Sequence, residues 1–290
     1  MNLEHVRNRR FEPTEQSYDW RDAALYAVAL GMGDDPTDED ELIYVYEGRE
    51  QRAAPSMSVI LGWPPFWHAD PAAGIDWPRI LHGEQRFDLL RPLPLRASIR
   101  AEHRIHSVED KGRGRGALIA FDTEVVDARN GERLASLRSI QFLRGDGGCG
   151  GFGAPPPPLA PLSPVGSPTA TVDYRTPPQA ALLYRLASRD YMPIHADPAL
   201  ARAAGFERPI SHGLNTMGLA CRAILKRFAP RRPERLRSMS VRFVGHAFPG
   251  ETIRVEMFAE GERIRFRALA LERQVLVLDR GESRLADRSP

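Results

Sequence analysis

The sequence predicts an α+β protein made of two similar halves. In each half an apolar helical stretch precedes a run of long alternating strands, the order that lets a helix pack against a curved antiparallel sheet. Residues 147–170 separate the halves as a linker: Gly147-Gly148-Cys149-Gly150-Gly151-Phe152-Gly153 leads into Pro155-Pro156-Pro157-Pro158 and further Pro and Ser. A weak internal repeat relates the halves. Pro94 with Ser98-Ile99-Arg100-Ala101-Glu102 resembles Pro249 with Thr252-Ile253-Arg254-Val255-Glu256. The expected domains are therefore 1–146 and 171–290. With 290 residues, 42% of them hydrophobic, the chain has material for two ordinary cores.

The elements follow in order. Residues 1–18 read as a polar lead-in. Residues 20–30 have helical periodicity, with Asp19 as cap and Gly31-Met32-Gly33 as stop. Residues 34–41 read as a solvated acidic loop and 42–46 (LIYVY) as a short strand. Residues 55–63 are apolar enough for a short buried helix, and 64–78 form a loop rich in Trp, Pro and Asp. Strands are expected at 86–90, 97–108, 117–126 and 133–143, with Asn130-Gly131 as a hairpin signal before the last. In the second half, residues 178–186 form a helix. Asp197 caps a short helix that starts at Pro198 and stops at Gly205. A long helix apolar on most sides covers 214–228, and strands resume at 237–244, 252–260, 262–271 and 274–278.

Composition excludes several classes. A formal charge of +2 favours neither nucleic acid nor a membrane surface. No run is long enough to span a bilayer, and the N-terminus has no apolar signal core. Cys149 and Cys221 form neither a disulfide framework nor a zinc spacing, so a reducing, cytoplasmic setting is the default and no metal is expected. The C-terminal Arg288-Ser289-Pro290 is no peroxisomal address. The glycines of the linker lack phosphate-loop spacing.

One stretch carries chemistry: Asp190-Tyr191-Met192-Pro193-Ile194-His195. Five residues is a poor spacing for one helix face. A bend at Pro193 lets carboxylate and imidazole converge on one water, the equipment of acid/base catalysis; taken alone, the spacing equally suits a surface turn. With its surroundings the stretch resembles the signature of the MaoC-like (R)-specific enoyl-CoA hydratases. The matching residues are Tyr184-Arg185-Leu186, Asp190-Tyr191-x-Pro193-Ile194-His195-x-Asp197-Pro198, and Ala203-Ala204-Gly205-Phe206-Glu207-Arg208-Pro209-Ile210-x-His212-Gly213-Leu214. Tyr46-Glu47-Gly48, Leu81-His82-Gly83-Glu84-Gln85, Arg91-Pro92-Leu93-Pro94, Gly150-Gly151-Phe152-Gly153 and Phe248-Pro249-Gly250 are similar to the two-domain, peroxisomal hydratase type.

The resemblance implies a double hotdog, each half a long helix wrapped by an antiparallel sheet. It implies reversible hydration of trans-2-enoyl-CoA to (R)-3-hydroxyacyl-CoA, with Asp190 and His195 activating one water and the Gly213 amide meeting the thioester oxygen. No cofactor is implied, the substrate being carried as a coenzyme A thioester, and the partner is a second copy in a homodimer. The C-terminal half carries catalysis and the N-terminal half makes room for the acyl chain. His82 is expected to be structural and His212 to orient its loop. Gly151 and Gly153 either let CoA approach or serve as linker glycines. Lys226, Arg227, Arg231 and Arg232 either meet CoA phosphates or form a solvated helix end. The chain departs from the family pattern at Arg189, where glycine is usual, at Met192, where asparagine is usual, and by one extra residue near Ala187. Arg189 and Met192 thus stand as substrate-contacting positions, and a branched, cyclic or carboxylated acyl group is compatible with the change. The alternative functions are an acyl-thioester-binding protein with little catalysis and a hotdog thioesterase.

Overall fold

The computed structural model describes residues 1–162 and 166–287; linker residues 163–165 and the C-terminal 288–290 lie outside them. The first half contains α1 (Leu3–Asn8), β1 (Thr14–Tyr18), α2 (Trp20–Ala29), α3 (Glu39–Val45), a 3-10 turn (Pro55–Ile60), β2 (Ile80–Leu89), β3 (Ala97–Asp110), β4 (Ala117–Asp127) and β5 (Arg133–Leu143). The second contains β6 (Ala170–Arg175), α4 (Ala180–Ser188), a 3-10 turn (Pro193–His195), α5 (Pro198–Ala203), α6 (Gly213–Phe228), β7 (Leu236–Phe243), β8 (Thr252–Glu260), β9 (Arg263–Ala270) and β10 (Val275–Leu285).

The strands form one sheet in the order β1-β3-β4-β5-β2-β7-β10-β9-β8-β6. The order is a palindrome. Each strand of the first half has its counterpart in the second, and the halves join where β2 runs antiparallel to β7, Glu84 opposite Arg242 and Asp88 opposite Ser238. This is the duplicated α+β architecture that the repeat predicted.

The long helix α6 fills the hollow of the second half. Every residue from Leu214 to Leu225 is buried, Met217 and Ile224 completely. In the first half the corresponding place holds only the six-residue 3-10 turn Pro55–Ile60, all of it buried. The expected long helix in each half is therefore present once. Pro55 opens the turn, and Pro64-Pro65 follow too closely for another helical turn to form. Gly62 (φ +66°) lies between, and a Cβ there would come within 2.4 Å of the Ala101 side chain.

Three local expectations need correction. Residues 3–8 and 14–18 are not lead-in but α1 and the edge strand β1, which pairs with β3. Its polar residues conceal it, because an edge strand has little apolar face to show. Residues 42–46 are not a strand: 42–45 belong to α3 and Tyr46 is its C-cap, the helix being capped at its start by Asp38 and buried at Glu41 and Tyr44. β10 continues to Leu285 across an irregularity near Gly281 that breaks the period-two pattern.

The acidic loop and the basic helix end, each expected to be solvated, meet one another. Arg222 on α6 is 3% exposed and donates to both Glu41 carboxylate oxygens (2.6 and 2.7 Å), to Asp34 (2.7 Å) and to the Leu30 carbonyl (3.1 Å). Its guanidinium lies 4.1 Å from the Tyr174 ring centroid. Lys226 pairs with Asp38, and Arg231 with Glu39 and Asp40. Two of the four cations considered for CoA phosphates are therefore committed within the fold, and Arg232 pairs with Glu234.

The proline-rich linker lies against the sheet. Arg86 of β2 donates to the Pro157 carbonyl (2.8 Å), Arg280 of β10 to the Leu159 carbonyl (3.1 Å), and Arg265 of β9 to the Pro161 carbonyl. A polyproline-like segment has no internal hydrogen bonds, so its carbonyls are free for such donors.

Burial holds His68 and His82 neutral, each at about 4. The unfolded chain takes up these protons below about 6.5. Between pH 6.5 and 4 unfolding therefore binds protons, and stability, complete above 6.5, is lost as the pH falls. Each histidine contributes a slope of up to ~1.4 kcal/mol per pH unit. Urea unfolding at pH 7 and pH 5 checks this: an equal or higher midpoint at pH 5 contradicts it.

Candidate active site

The Asp/His stretch folds as a tight turn between α4 and α5. α4 ends at Arg189, which adopts a left-handed conformation (φ +59°) and returns its N–H to the Arg185 carbonyl at 3.1 Å. This is the conformation for which glycine is the usual residue. The Ser188 hydroxyl accepts from the Asp190 N–H (3.2 Å), and the Asp190 carboxylate accepts from the Met192 N–H (3.1 Å). The Met192 backbone thus steadies Asp190, whatever its side chain no longer supplies. Pro193 starts the 3-10 turn that carries His195. Asp197 then caps α5 through Ala199 N–H (2.7 Å) and Leu200 N–H (3.2 Å), and Gly205 follows at φ +91°, as expected from the sequence.

These turns bring Asp190, His195 and His212 together, each offering one oxygen or nitrogen within 4.8 Å of the others. That span suits one water bridging carboxylate and imidazole. His195 Nδ1 lies 2.8 Å from the Ile210 carbonyl. A carbonyl only accepts, so in the neutral ring Nδ1 carries the proton and Nε2 presents its lone pair. Burial lowers the His195 pKa, partly opposed by the Asp190 charge. The ring is therefore a neutral base at physiological pH.

His212 is 1% exposed and is more than a loop anchor. Its ring stacks on His195 (centroids 3.7 Å, planes 25° apart), and its Nε2 faces the Asp190 carbonyl at 3.3 Å. Burial, then the neighbouring His195, push its pKa down to about 3. Behind it lies Tyr184, fully buried, with its ring 5.1 Å away. The two imidazole rings lie 3.7 Å apart, centroid to centroid, and 25° from parallel, so lone pairs held in their planes converge poorly on a shared metal ion.

Gly213 is the first residue of α6, where N–H groups have no intrahelical acceptor and the helix dipole favours negative charge. Among the described residues its N–H has no partner. A Cβ at this position would come within 3.0 Å of the Phe243 ring. Phe243 in turn packs on His82 (4.8 Å), whose Nε2–H donates to the Glu84 carbonyl, a structural role as expected. Phe243 and Tyr184 are wall residues that sequence reasoning did not single out. Tyr184 stood inside the quoted motif, but nothing in its spacing shows that it supports His212.

Two predicted positions go elsewhere. Gly151 and Gly153 pack on β3, flanking the Val108–Phe152 bridge. A Cβ on Gly151 would be 2.6 Å from the Val108 carbonyl and one on Gly153 2.4 Å from that of His106, so close approach of linker to strand explains both. Arg189 is exposed and pairs with no carboxylate among the described residues. Met192 is half-buried beside the Asp190 turn.

Both halves of the chain are similar to known proteins. Residues 16–145 match the model of the MFE-2 hydratase 2 N-terminal domain, and residues 162–280 that of the MaoC like domain. The chain is 36% identical over 284 residues to enoyl-CoA hydratase 2, peroxisomal, of Arabidopsis thaliana, covering 91% of this chain and 89% of that one. The crystal structure of a MaoC-like dehydratase from Phytophthora capsici superposes with a TM-score of 0.86 at 32% identity, covering both chains completely. A Mycobacterium tuberculosis protein described as a double hotdog shares the fold alone (TM-score 0.58, 14% identity, 96% of each chain). The chain belongs to the MaoC-like hydratase/dehydratase family, in its two-domain, double-hotdog form.

Proposed function

We propose that the protein catalyses reversible hydration of a trans-2-enoyl-CoA to the (R)-3-hydroxyacyl-CoA. One observation carries the reading: Asp190 and His195 face each other across the span of a water, with the free Gly213 amide beside them. His195 Nε2 and the Asp190 carboxylate hold the water. Its oxygen bonds to C3 as a proton leaves it, and C2 takes up a proton, so one water is added in all. Charge accumulates on the thioester oxygen, which Gly213 N–H meets at the head of α6. No metal or redox step is required. The first half has no counterpart of the Asp/His pair and houses the acyl chain instead. The exposed Arg189 reaches a CoA phosphate. Met192 lines the acyl entrance, and His212 keeps His195 in its working orientation.

Free Cys149 and Cys221 suit a reducing compartment such as the cytoplasm. Among the described residues no helix is long and apolar enough to cross a membrane. α2 and α4 pack together and leave Leu25, Val28, Leu182 and Leu186 exposed, a surface for a second copy of the chain; light scattering of the purified protein tests the homodimer.

The test of the reaction is loss of enoyl-thioester absorbance on a panel of trans-2-enoyl-CoAs, with chiral analysis of the product. No turnover at any chain length refutes the proposal, and release of free thiol identifies a thioesterase. Arg189→Gly separates two roles of that residue. Relief of the left-handed backbone raises stability by about 0.5–1 kcal/mol, while loss of the phosphate contact raises KM several-fold with kcat unchanged. A lower urea midpoint contradicts the first expectation and an unchanged KM the second.

A further inference from the structure

The first half contains a cavity of about 100 Å³ between the 3-10 turn and the concave face of the sheet. It lies on the same face as the reaction centre. His82 pairs with Gln141 across β2 and β5, and Gln85 with Ser139, so these side chains share one side of the sheet. Gln85, Ser139 and Gln141 line the cavity, while His82 packs on the Phe243 ring that backs Gly213. One continuous face therefore leads from the Asp190 turn to the cavity.

Its walls are of two kinds. Trp63 and Phe66 close the solvent side, both about half exposed. The floor is polar. Gln141 Oε1 is bonded to His68 Nε2 at 2.6 Å, which leaves the Gln141 amide N–H groups without an acceptor among the described residues. Gln85 donates its amide N–H to the Arg86 carbonyl (3.2 Å), and its side chain is also engaged by the His82 ring. The Ser139 hydroxyl has no partner among the described residues. A saturated hydrocarbon lodged here would pack on the apolar walls but strip the Ser139 hydroxyl and the Gln141 amide of water without replacing its hydrogen bonds. A carboxylate would be no better. No cationic side chain lines the cavity, and the nearby Arg9 lies over the Trp67 ring and is paired with Asp70 at 2.6 Å.

We infer that this cavity selects acyl chains bearing an uncharged oxygen function, a hydroxyl or a ketone, on the part remote from the thioester, held by Ser139 and Gln141 beneath Trp63 and Phe66. The inference rests on the hydratase reading for the identity of the ligand as an acyl-CoA. It narrows the branched, cyclic or carboxylated alternatives left by the sequence: the acyl group is oxygenated but not carboxylated.

Two measurements test it separately. Calorimetry with saturated acyl-CoAs of equal carbon number, one plain and one with a distal hydroxyl or ketone, needs no turnover. The oxygenated ligand binds at least ~10-fold more tightly, as expected where buried polar groups would otherwise go unpaired. In Gln141→Leu/Ser139→Ala the preference falls to near unity. If this variant fails to fold, Gln141→Met alone gives the readout, with a partial loss of preference. Kinetics on the matched enoyl-CoAs then show the same ratio in kcat/KM. Equal or tighter binding of the plain chain, or a preference that survives substitution, overturns the inference and leaves the hydratase reading intact. A binding preference without hydration of either enoyl-CoA overturns the hydratase reading and leaves the cavity's selectivity standing.

Discussion

Asp190→Asn lowers kcat for enoyl-thioester hydration by about three orders of magnitude and leaves the melting temperature within a few degrees of the parent. The expectation follows from what asparagine keeps and what it loses. Its side-chain oxygen still accepts the Met192 N–H, so the turn that sets His195 is preserved. The negative charge and the capacity to accept a proton from water are gone, and positioned acid/base groups contribute about 10²–10⁴-fold. His195→Ala produces a loss of similar size. Because the two groups hold one water, the double variant is little worse than either single one. KM changes little, since neither residue contacts the CoA moiety. Steady-state kinetics over the pH range with thermal melting decides the matter: an Asp190→Asn enzyme retaining more than a tenth of parental kcat refutes the assignment.

Arg222→Met has the largest expected effect on stability. The substitution leaves Glu41, 4% exposed, without its partner inside the protein. Breaking a buried ion pair from one side costs about 3–5 kcal/mol, because the remaining charge is uncompensated. Asp34 adds little to the total, since its side chain is 56% exposed. Arg222→Met/Glu41→Leu recovers most of the loss, as replacement of both partners by apolar groups removes the stranded charge. Urea denaturation of the two variants measures both terms. A single variant destabilised by less than 1 kcal/mol, or a double variant no better than the single, contradicts this account. Below its melting point the single variant keeps its kcat, for Gly213 and the Asp190 turn lie at the other end of α6.

The sequence made some of this legible and concealed the rest for physical reasons. β3, β4, β5 and β8 stood out as long runs of strand-forming residues with one face on the core, and β9 through an alternation of buried and half-buried residues that runs its whole length. α6 stood out because a helix enclosed by a sheet is apolar on most sides. The turn at Pro193 and the Asp197-Pro198 cap were legible from local signals that the structure reproduces, whereas Asp190 and His195 stood out as a pair only through the family resemblance. The Arg222–Glu41 pair was not, as its members lie 181 residues apart and each reads as a surface charge. Burial of a charge is set by its partner, and no local pattern announces a partner in the other half. α3 was hidden for a related reason: Leu42 to Tyr46 has strand-forming residues, and a cap at Asp38 with burial of Glu41 and Tyr44 overrules that preference. The support of His195 by His212 and of His212 by Tyr184 likewise exists only after folding brings three separated segments together.

The linker strapped along the sheet by Arg86, Arg265 and Arg280 has an evolutionary consequence. Two identical hotdogs that associate as separate chains must change in step, because a mutation that helps one copy is imposed on the other. Joined in one polypeptide, they meet at a high effective concentration whatever their individual affinity. Each can then change alone. Here one half holds only the buried Pro55–Ile60 turn where the other holds the long helix α6 beside Asp190 and His195. Division of labour between the halves is thus a freedom conferred by the tether, and it predicts that substitutions in the Pro55–Ile60 region redirect chain preference without touching the chemistry at Asp190.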